Sequence, residues 1–131
     1  MIGLDTNVLV RLMVADEPHQ SARVARFLAE RCTPEQPGYV SAIVLCELVW
    51  VLGRVYKYQR AAVVAALDAL LRNPALIVEG AADAAAALMA FRSGSADFAD
   101  CLMGLRNAKA GCKTTVTLDR AAARLPQFTH L

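Results

Sequence analysis

Short apolar runs alternate with longer stretches of helix-forming residues along this chain. The apolar runs predict strands at residues 2–5, 38–41, 76–79 and 114–117, with a fifth candidate at 128–130. The helical patterns cover residues 8–13, 18–32, 42–56, 60–71, 81–92 and 98–110. Breaks between these segments fall at turn-forming residues, namely Pro34, Pro37, Pro74, Gly94 and Gly111.

This alternation predicts an α/β fold with a central, mostly parallel sheet of four to five strands flanked by helices. The chain has 131 residues, which is a common size for one domain, and apolar patterning continues on both sides of Pro34. We therefore expect a single domain over residues 1–131. In parallel sheets of this class ligands bind beyond the carboxyl ends of the strands, so functional side chains are expected there.

Acidic residues lie at or near these strand ends in otherwise apolar segments. Asp5 ends the first strand, Glu47 interrupts the apolar helix after the second, Asp97 and Asp100 open the last long helix, and Asp119 follows the fourth strand. If the five gather, the remaining 14 basic and seven acidic side chains form a basic surface that the net charge of +2 conceals. Such a surface suits a polyanionic partner.

Glu47 has only apolar neighbours three and four positions away on its helix, which are Ile43, Val44, Trp50 and Val51. Its charge therefore needs a partner from elsewhere, because a buried and unpaired carboxylate costs on the order of several kcal/mol. We expect a metal-site role. The alternative is a helix edge where Glu47 reaches water or pairs with Arg54.

The other four acids also have ordinary structural alternatives. Asp97 could cap the helix it precedes, with Asp100 favourably placed in the first turn. Asp119 could cap a short helix at residues 120–124, and Asp5 could start a turn with Thr6 and Asn7. The apolar segment around Asp100 nevertheless favours a functional role for that acid, and the repeated placement of acids favours the same for Asp5.

Four or five carboxylates at one edge repel one another unless divalent cations neutralise them. Ligands made only of oxygen suit Mg²⁺ or Mn²⁺ rather than zinc. Such a centre polarises a phosphoryl oxygen and generates hydroxide from bound water, which together predict phosphodiester hydrolysis.

Other chemistry finds little support in the sequence. The four cysteines have no C-x-x-C spacing and lie in or beside apolar stretches, so we expect free thiols, and neither His19 nor His130 is expected to be catalytic. No apolar run is long enough for a membrane span, and the N-terminus lacks the features of a secretory signal. A cytoplasmic location is therefore expected.

The acidic motifs resemble, in the expected order, those of the PIN-domain nucleases and, within them, the VapC-type toxins of bacterial type II toxin–antitoxin pairs. The residues that carry the resemblance are Gly3-Leu4-Asp5-Thr6-Asn7-Val8-Leu9, Glu47, Ala96-Asp97-Phe98-Ala99-Asp100-Cys101-Leu102 and Thr117-Leu118-Asp119-Arg120. Each motif is short, but four in this order over almost the whole chain form a specific signal.

The resemblance implies a PIN α/β/α sandwich and a metal-dependent endoribonuclease that hydrolyses RNA at an acidic site holding Mg²⁺ or Mn²⁺. By position, the catalytic acids are Asp5, Glu47, Asp100 and Asp119. The same four acids, together with Asp97, are the implied metal ligands. Polar residues that would orient a ligand carboxylate, a water or a phosphate are Thr6, Asn7 and Thr117. The implied partners are RNA, a VapB-type antitoxin, a second copy in a homodimer and a toxin–antitoxin hetero-oligomer, with no membrane contact.

Basic residues around the pocket are expected to contact RNA phosphates, and the candidates are Arg11, Arg54, Lys57, Arg106, Lys109, Lys113 and Arg120. Three alternatives stay open. A PIN nuclease that processes RNA without being a toxin would have the same site, and a catalytically silent PIN-like binding module would keep the fold. A phosphotransferase with Asp5 as nucleophile is disfavoured, because such enzymes usually carry a second acid at the position of Asn7.

Overall fold

The computed structural model describes all 131 residues. The strands are β1 (Ile2–Gly3), β2 (Gly38–Val40), β3 (Leu76–Val78), β4 (Thr115–Thr117) and β5 (Phe128–His130). The helices are α1 (Thr6–Met13), α2 (Pro18–Arg31), α3 (Ala42–Arg54), α4 (Arg60–Arg72), α5 (Ala81–Ser93) and α6 (Phe98–Lys109). A single 3-10 turn covers Ala122–Arg124. None of the six helices combines the length and the apolar character that crossing a membrane requires.

Every predicted strand and helix is present, and the ends differ from the predicted ones by at most two residues. The first helix begins earlier than its apolar pattern indicated, because Asp5 has extended backbone angles and its Oδ1 accepts the N–H of Thr6 at 2.7 Å. The predicted short helix at residues 120–124 is the 3-10 turn.

The chain divides into two compact units, Met1–Ala81 and Ala82–Leu131. In the first unit, β1, β2 and β3 form a parallel sheet in that order, and β2 pairs with both neighbours. Gly38 in β2 is tightly packed, because a Cβ there would lie 2.8 Å from Leu4 Cδ1 and 3.0 Å from Leu76 Cδ2, so both leucine side chains would have to shift. The fully buried side chains of this unit are aliphatic, namely Leu9, Val40, Leu45, Leu48, Leu52 and Leu67.

The second unit contains α5, α6, the 3-10 turn and a parallel pair formed by β4 and β5. The rings of Phe91 and Phe98 meet edge to face with centroids 6.1 Å apart, and both side chains are buried. Gly104 of α6 lies so close to Phe128 of β5 that a Cβ at this position would approach the ring to 2.6 Å. The α/β class and the parallel strands are thus confirmed, with the five strands distributed over a three-stranded and a two-stranded ladder.

Candidate metal centre

Three carboxylates of the second unit lie close together. Asp97, Asp100 and Asp119 each offer one oxygen atom, and these atoms all lie within 4.8 Å of one another. Asp97 and Asp119 are exposed, and Asp100 is half-buried. The sequence prediction that acids separated along the chain meet is therefore confirmed for these three.

The start of α6 positions two of these acids. Asp97 occupies the N-cap position, but its side chain makes no capping hydrogen bond, and Asp100 lies in the first turn. The positive end of the helix dipole favours negative charge there, by roughly 0.3–1 kcal/mol per group. The predicted capping role of the Asp97 side chain is therefore absent, which leaves its carboxylate free to bind a cation.

Asp119 is held by local hydrogen bonds directly after β4. Its Oδ1 accepts the N–H of Ala121 at 2.8 Å and that of Ala122 at 3.2 Å, while Thr117 Oγ1 accepts the N–H of Asp119 at 3.0 Å. Asp119 thus caps the 3-10 turn with one oxygen, so that its second oxygen remains available. The capping role therefore leaves room for a ligand role at this residue, and the Thr117 hydroxyl accepts the hydrogen bond of its backbone N–H.

The pKa of Asp100 reflects its burial and its acidic neighbours. Partial burial raises the pKa of Asp100 above its ordinary value, and the neighbouring carboxylates of Asp97 and Asp119 raise it further. No basic side chain contributes an opposing effect on this pKa. Three converging oxygen ligands without a cationic partner fit a hard divalent ion such as Mg²⁺ or Mn²⁺.

Replacing Asp100 by Asn is expected to stabilise the metal-free protein at neutral pH. Because its pKa is higher in the folded state than in the unfolded chain, stability is lost as pH rises through the unfolded and then the folded pKa. With solvent screening, we expect the variant to gain about 0.5 kcal/mol at neutral pH and nothing in acid below the unfolded pKa. Thermal unfolding in chelator, at neutral pH and in acid below the unfolded pKa, measures this difference in stability. A variant that melts below the wild type at neutral pH would contradict the prediction.

Asp5 and the residues after it lie in the first unit, at the start of α1. Asp5 is exposed, and its side-chain Oδ1 accepts the N–H of Thr6. Thr6 is buried at 4% exposure, whereas Asn7 is exposed at the mouth of a groove between α1 and α2. The Asp5 carboxylate is therefore presented at the end of the strand segment, as the sequence predicted.

Glu47 is exposed on α3, and its apolar neighbours Ile43 and Trp50 are also exposed, at 80% and 60%. The hypothesis of a buried carboxylate that needs a partner does not apply to this surface, because solvent surrounds the side chain. Arg54 makes no ion pair with it. Glu47 thus keeps both oxygens free of protein partners.

Glu79, which directly follows β3, has a positioning role that was not predicted from the sequence. Glu79 Oε1 accepts the N–H of Ala42 at 3.1 Å, and Ser41 Oγ accepts the N–H of Val44 at 3.3 Å, so two side chains hold the first turn of α3. The available signal was its place at a strand end, which is the same signal that singled out Asp5. Glu79 is a positioning residue for the helix that carries Glu47.

Arg11 and Lys109, two of the seven predicted phosphate-binding cations, pair with acidic side chains of the protein. Arg11 pairs with Asp16 and donates a hydrogen bond to Tyr56, and Lys109 pairs with Asp83 at 3.2 Å. The other five candidates, Arg54, Lys57, Arg106, Lys113 and Arg120, are exposed. All four cysteines are free, with Cys112 exposed rather than packed in an apolar segment.

Comparison with known proteins places these residues in a family. No curated protein shows a significant match to the chain. The family model of the PIN domain matches residues 2–127, a span that includes all five candidate acids and the group of three carboxylates. Because the match covers nearly the whole chain, this protein belongs to the PIN-domain family, whose members are generally metal-dependent nucleases.

Proposed function

We propose that this protein is a Mg²⁺- or Mn²⁺-dependent endoribonuclease and the toxin of a VapBC-type toxin–antitoxin pair. The observation that carries the proposal is the group formed by Asp97, Asp100 and Asp119 in a chain of the PIN-domain family. A divalent cation bound between the three carboxylates would relieve their mutual repulsion, and oxygen ligands suit such an ion. A cytoplasmic location would give such an enzyme access to its substrate.

We propose the following roles for the residues of the site. Asp97, Asp100 and Asp119 would hold the ion, and we assign Asp5 and Glu47 to the same set of catalytic carboxylates and ligands. When bound, the ion supplies Lewis-acid activation of a phosphoryl oxygen and lowers the pKa of a coordinated water. Thr117 fixes Asp119 through its backbone N–H. Thr6 and Asn7 are proposed to orient the Asp5 carboxylate, a water or a phosphate.

The groove between α1 and α2 favours the proposal of a partner protein. It has a volume of about 860 Å³, and its lining includes the apolar side chains of Val8, Val24 and Phe27 beside Arg23 and Arg26. Helix α2 buries none of its residues, so its apolar side chains are incompletely covered in this chain. We propose this groove as a contact surface for the antitoxin, with a homodimer and a toxin–antitoxin hetero-oligomer as the assemblies.

Purified protein is expected to cut total RNA at discrete sites with Mg²⁺ or Mn²⁺ and to leave it intact in chelator. The product of a short reading frame immediately upstream of the gene should suppress the cleavage when added to the same reaction. Gel or sequencing analysis of the RNA ends measures both effects. Cleavage that persists in chelator, or no cleavage with either ion, would refute the nuclease assignment, and cleavage that such a product leaves unaffected would favour an RNA-processing PIN nuclease.

A further inference from the structure

One face of α3 carries an exposed row of chemically different side chains. Ile43, Glu47, Trp50 and Arg54 follow one another at helical spacings of four, three and four residues, so they lie along one side of the helix. All four are exposed, including Ile43 at 80% and Trp50 at 60%. We call this row the α3 stripe.

The helix that carries the α3 stripe is held in place by packing and by hydrogen bonds at its first turn. On other sides of α3, the side chains of Leu45, Leu48 and Leu52 are all fully buried. The side chains of Ser41 and Glu79 hold its first turn. The indole of Trp50 is therefore presented on a backbone that is already ordered before any ligand binds, which lowers the entropy cost of binding.

The order of groups in the stripe fits a single strand of nucleic acid. A carboxylate, an aromatic face and a guanidinium follow each other over a helical rise of about 10 Å from Glu47 to Arg54. Proteins that bind single strands combine cations that contact the backbone with aromatic rings on which unpaired bases stack. Lys57 is also exposed, just beyond the end of α3, and it adds positive charge at the same end as Arg54.

A second copy of the chain is a less suitable occupant of this surface. Glu47 lies between the two exposed apolar side chains of the stripe, so covering Ile43 and Trp50 with a protein surface would remove water from a carboxylate with no ion-pair partner in the chain. Such desolvation opposes association.

We propose that Trp50 is a stacking platform for an unpaired base of single-stranded RNA, with Arg54 contacting the adjacent phosphate. The inference rests on the proposed function and deepens it, because it names the side chain that would hold a base of the substrate. Paired RNA is excluded as a ligand of this platform, since its bases are already covered by their neighbours in the helix.

Trp50 is the only tryptophan of the chain, so its fluorescence reports on this position alone. In chelator, which prevents cleavage, a short unstructured oligoribonucleotide is expected to quench this fluorescence, and a duplex of the same composition is not. Affinity for the single strand, followed by anisotropy of a label on the RNA, is expected to fall about tenfold or more in Trp50→Ala and to be largely retained in Trp50→Phe. Met89→Ala, which removes a side chain that is 68% exposed on α5, is the matched control and should bind as the wild type.

Equal affinity of wild type and Trp50→Ala for the single strand would overturn the proposal, as would equal quenching by the duplex. A variant whose only change is a lower degree of self-association in sedimentation would also overturn it, because the stripe would then be a protein interface. A failure of this inference and a failure of the proposed activity can be distinguished. RNA cleavage with an unimportant Trp50 defeats only this inference, whereas quenching by single strands without cleavage under any metal defeats only the nuclease assignment.

Discussion

The Asp100→Asn variant is expected to lose RNA cleavage by a factor on the order of 10²–10³ at saturating metal while remaining folded. The substitution keeps the size of the side chain but removes the charge of the half-buried carboxylate in the group with Asp97 and Asp119. The same variant is expected to melt slightly above the wild type without metal, because it removes a charge that partial burial and the neighbouring carboxylates disfavour. Lower activity combined with unreduced stability would show that Asp100 acts in the site and is not required for folding.

Single-turnover cleavage of one defined RNA site measures this effect, with circular dichroism as a test of folding. Asp5→Asn is also expected to lose cleavage while remaining folded, because an asparagine at this position can still accept the hydrogen bond from the N–H of Thr6. The matched control is Asp68→Asn, which removes a surface acid paired with Arg72 at 3.0 Å and should leave cleavage unchanged. A folded Asp100→Asn or Asp5→Asn protein that cuts RNA at the normal rate would contradict the assignment of that residue.

Gly104→Ala is expected to lower the free energy of unfolding by about 2 kcal/mol. A Cβ at this position would lie 2.6 Å from Cε2 of Phe128 and 3.1 Å from Cβ of Gln127. The Phe128 ring is rigid and only 8% exposed, so it has little space to move away. The strain therefore exceeds the gain of roughly 1 kcal/mol that alanine normally brings to a helix interior.

Gly53→Ala is the matched control, because it makes the same change within α3 where nothing lies within 4 Å of the added Cβ. This variant is expected to be more stable than the wild type by about 0.5–1 kcal/mol. Urea unfolding of the three proteins measures both effects. If both alanine variants gained stability, α6 and β5 would not approach each other as closely as the structure shows.

The sequence by itself determined the helices, the strands and the acids that occupy their ends. Apolar periodicity and local breaks act over a few neighbouring residues, so the pattern located α2 and α4 to within one residue at each end. The same local information fixed the position of Asp97 and Asp100 at the start of α6 and of Asp119 after β4. Family resemblance then pointed to the PIN domain, which the family match confirms.

Tertiary structure decided what surrounds these residues, because burial and pairing depend on parts of the chain that are distant in sequence. The apolar neighbours of Glu47 predicted burial, yet Ile43 and Trp50 face solvent, since α3 directs its leucines into the core. Glu79 binds the start of α3 across 37 residues, and Lys109 pairs with Asp83 across 26. The meeting of Asp119 with the acids of α6 likewise required the packing of β4 against that helix, and no local pattern contains such information.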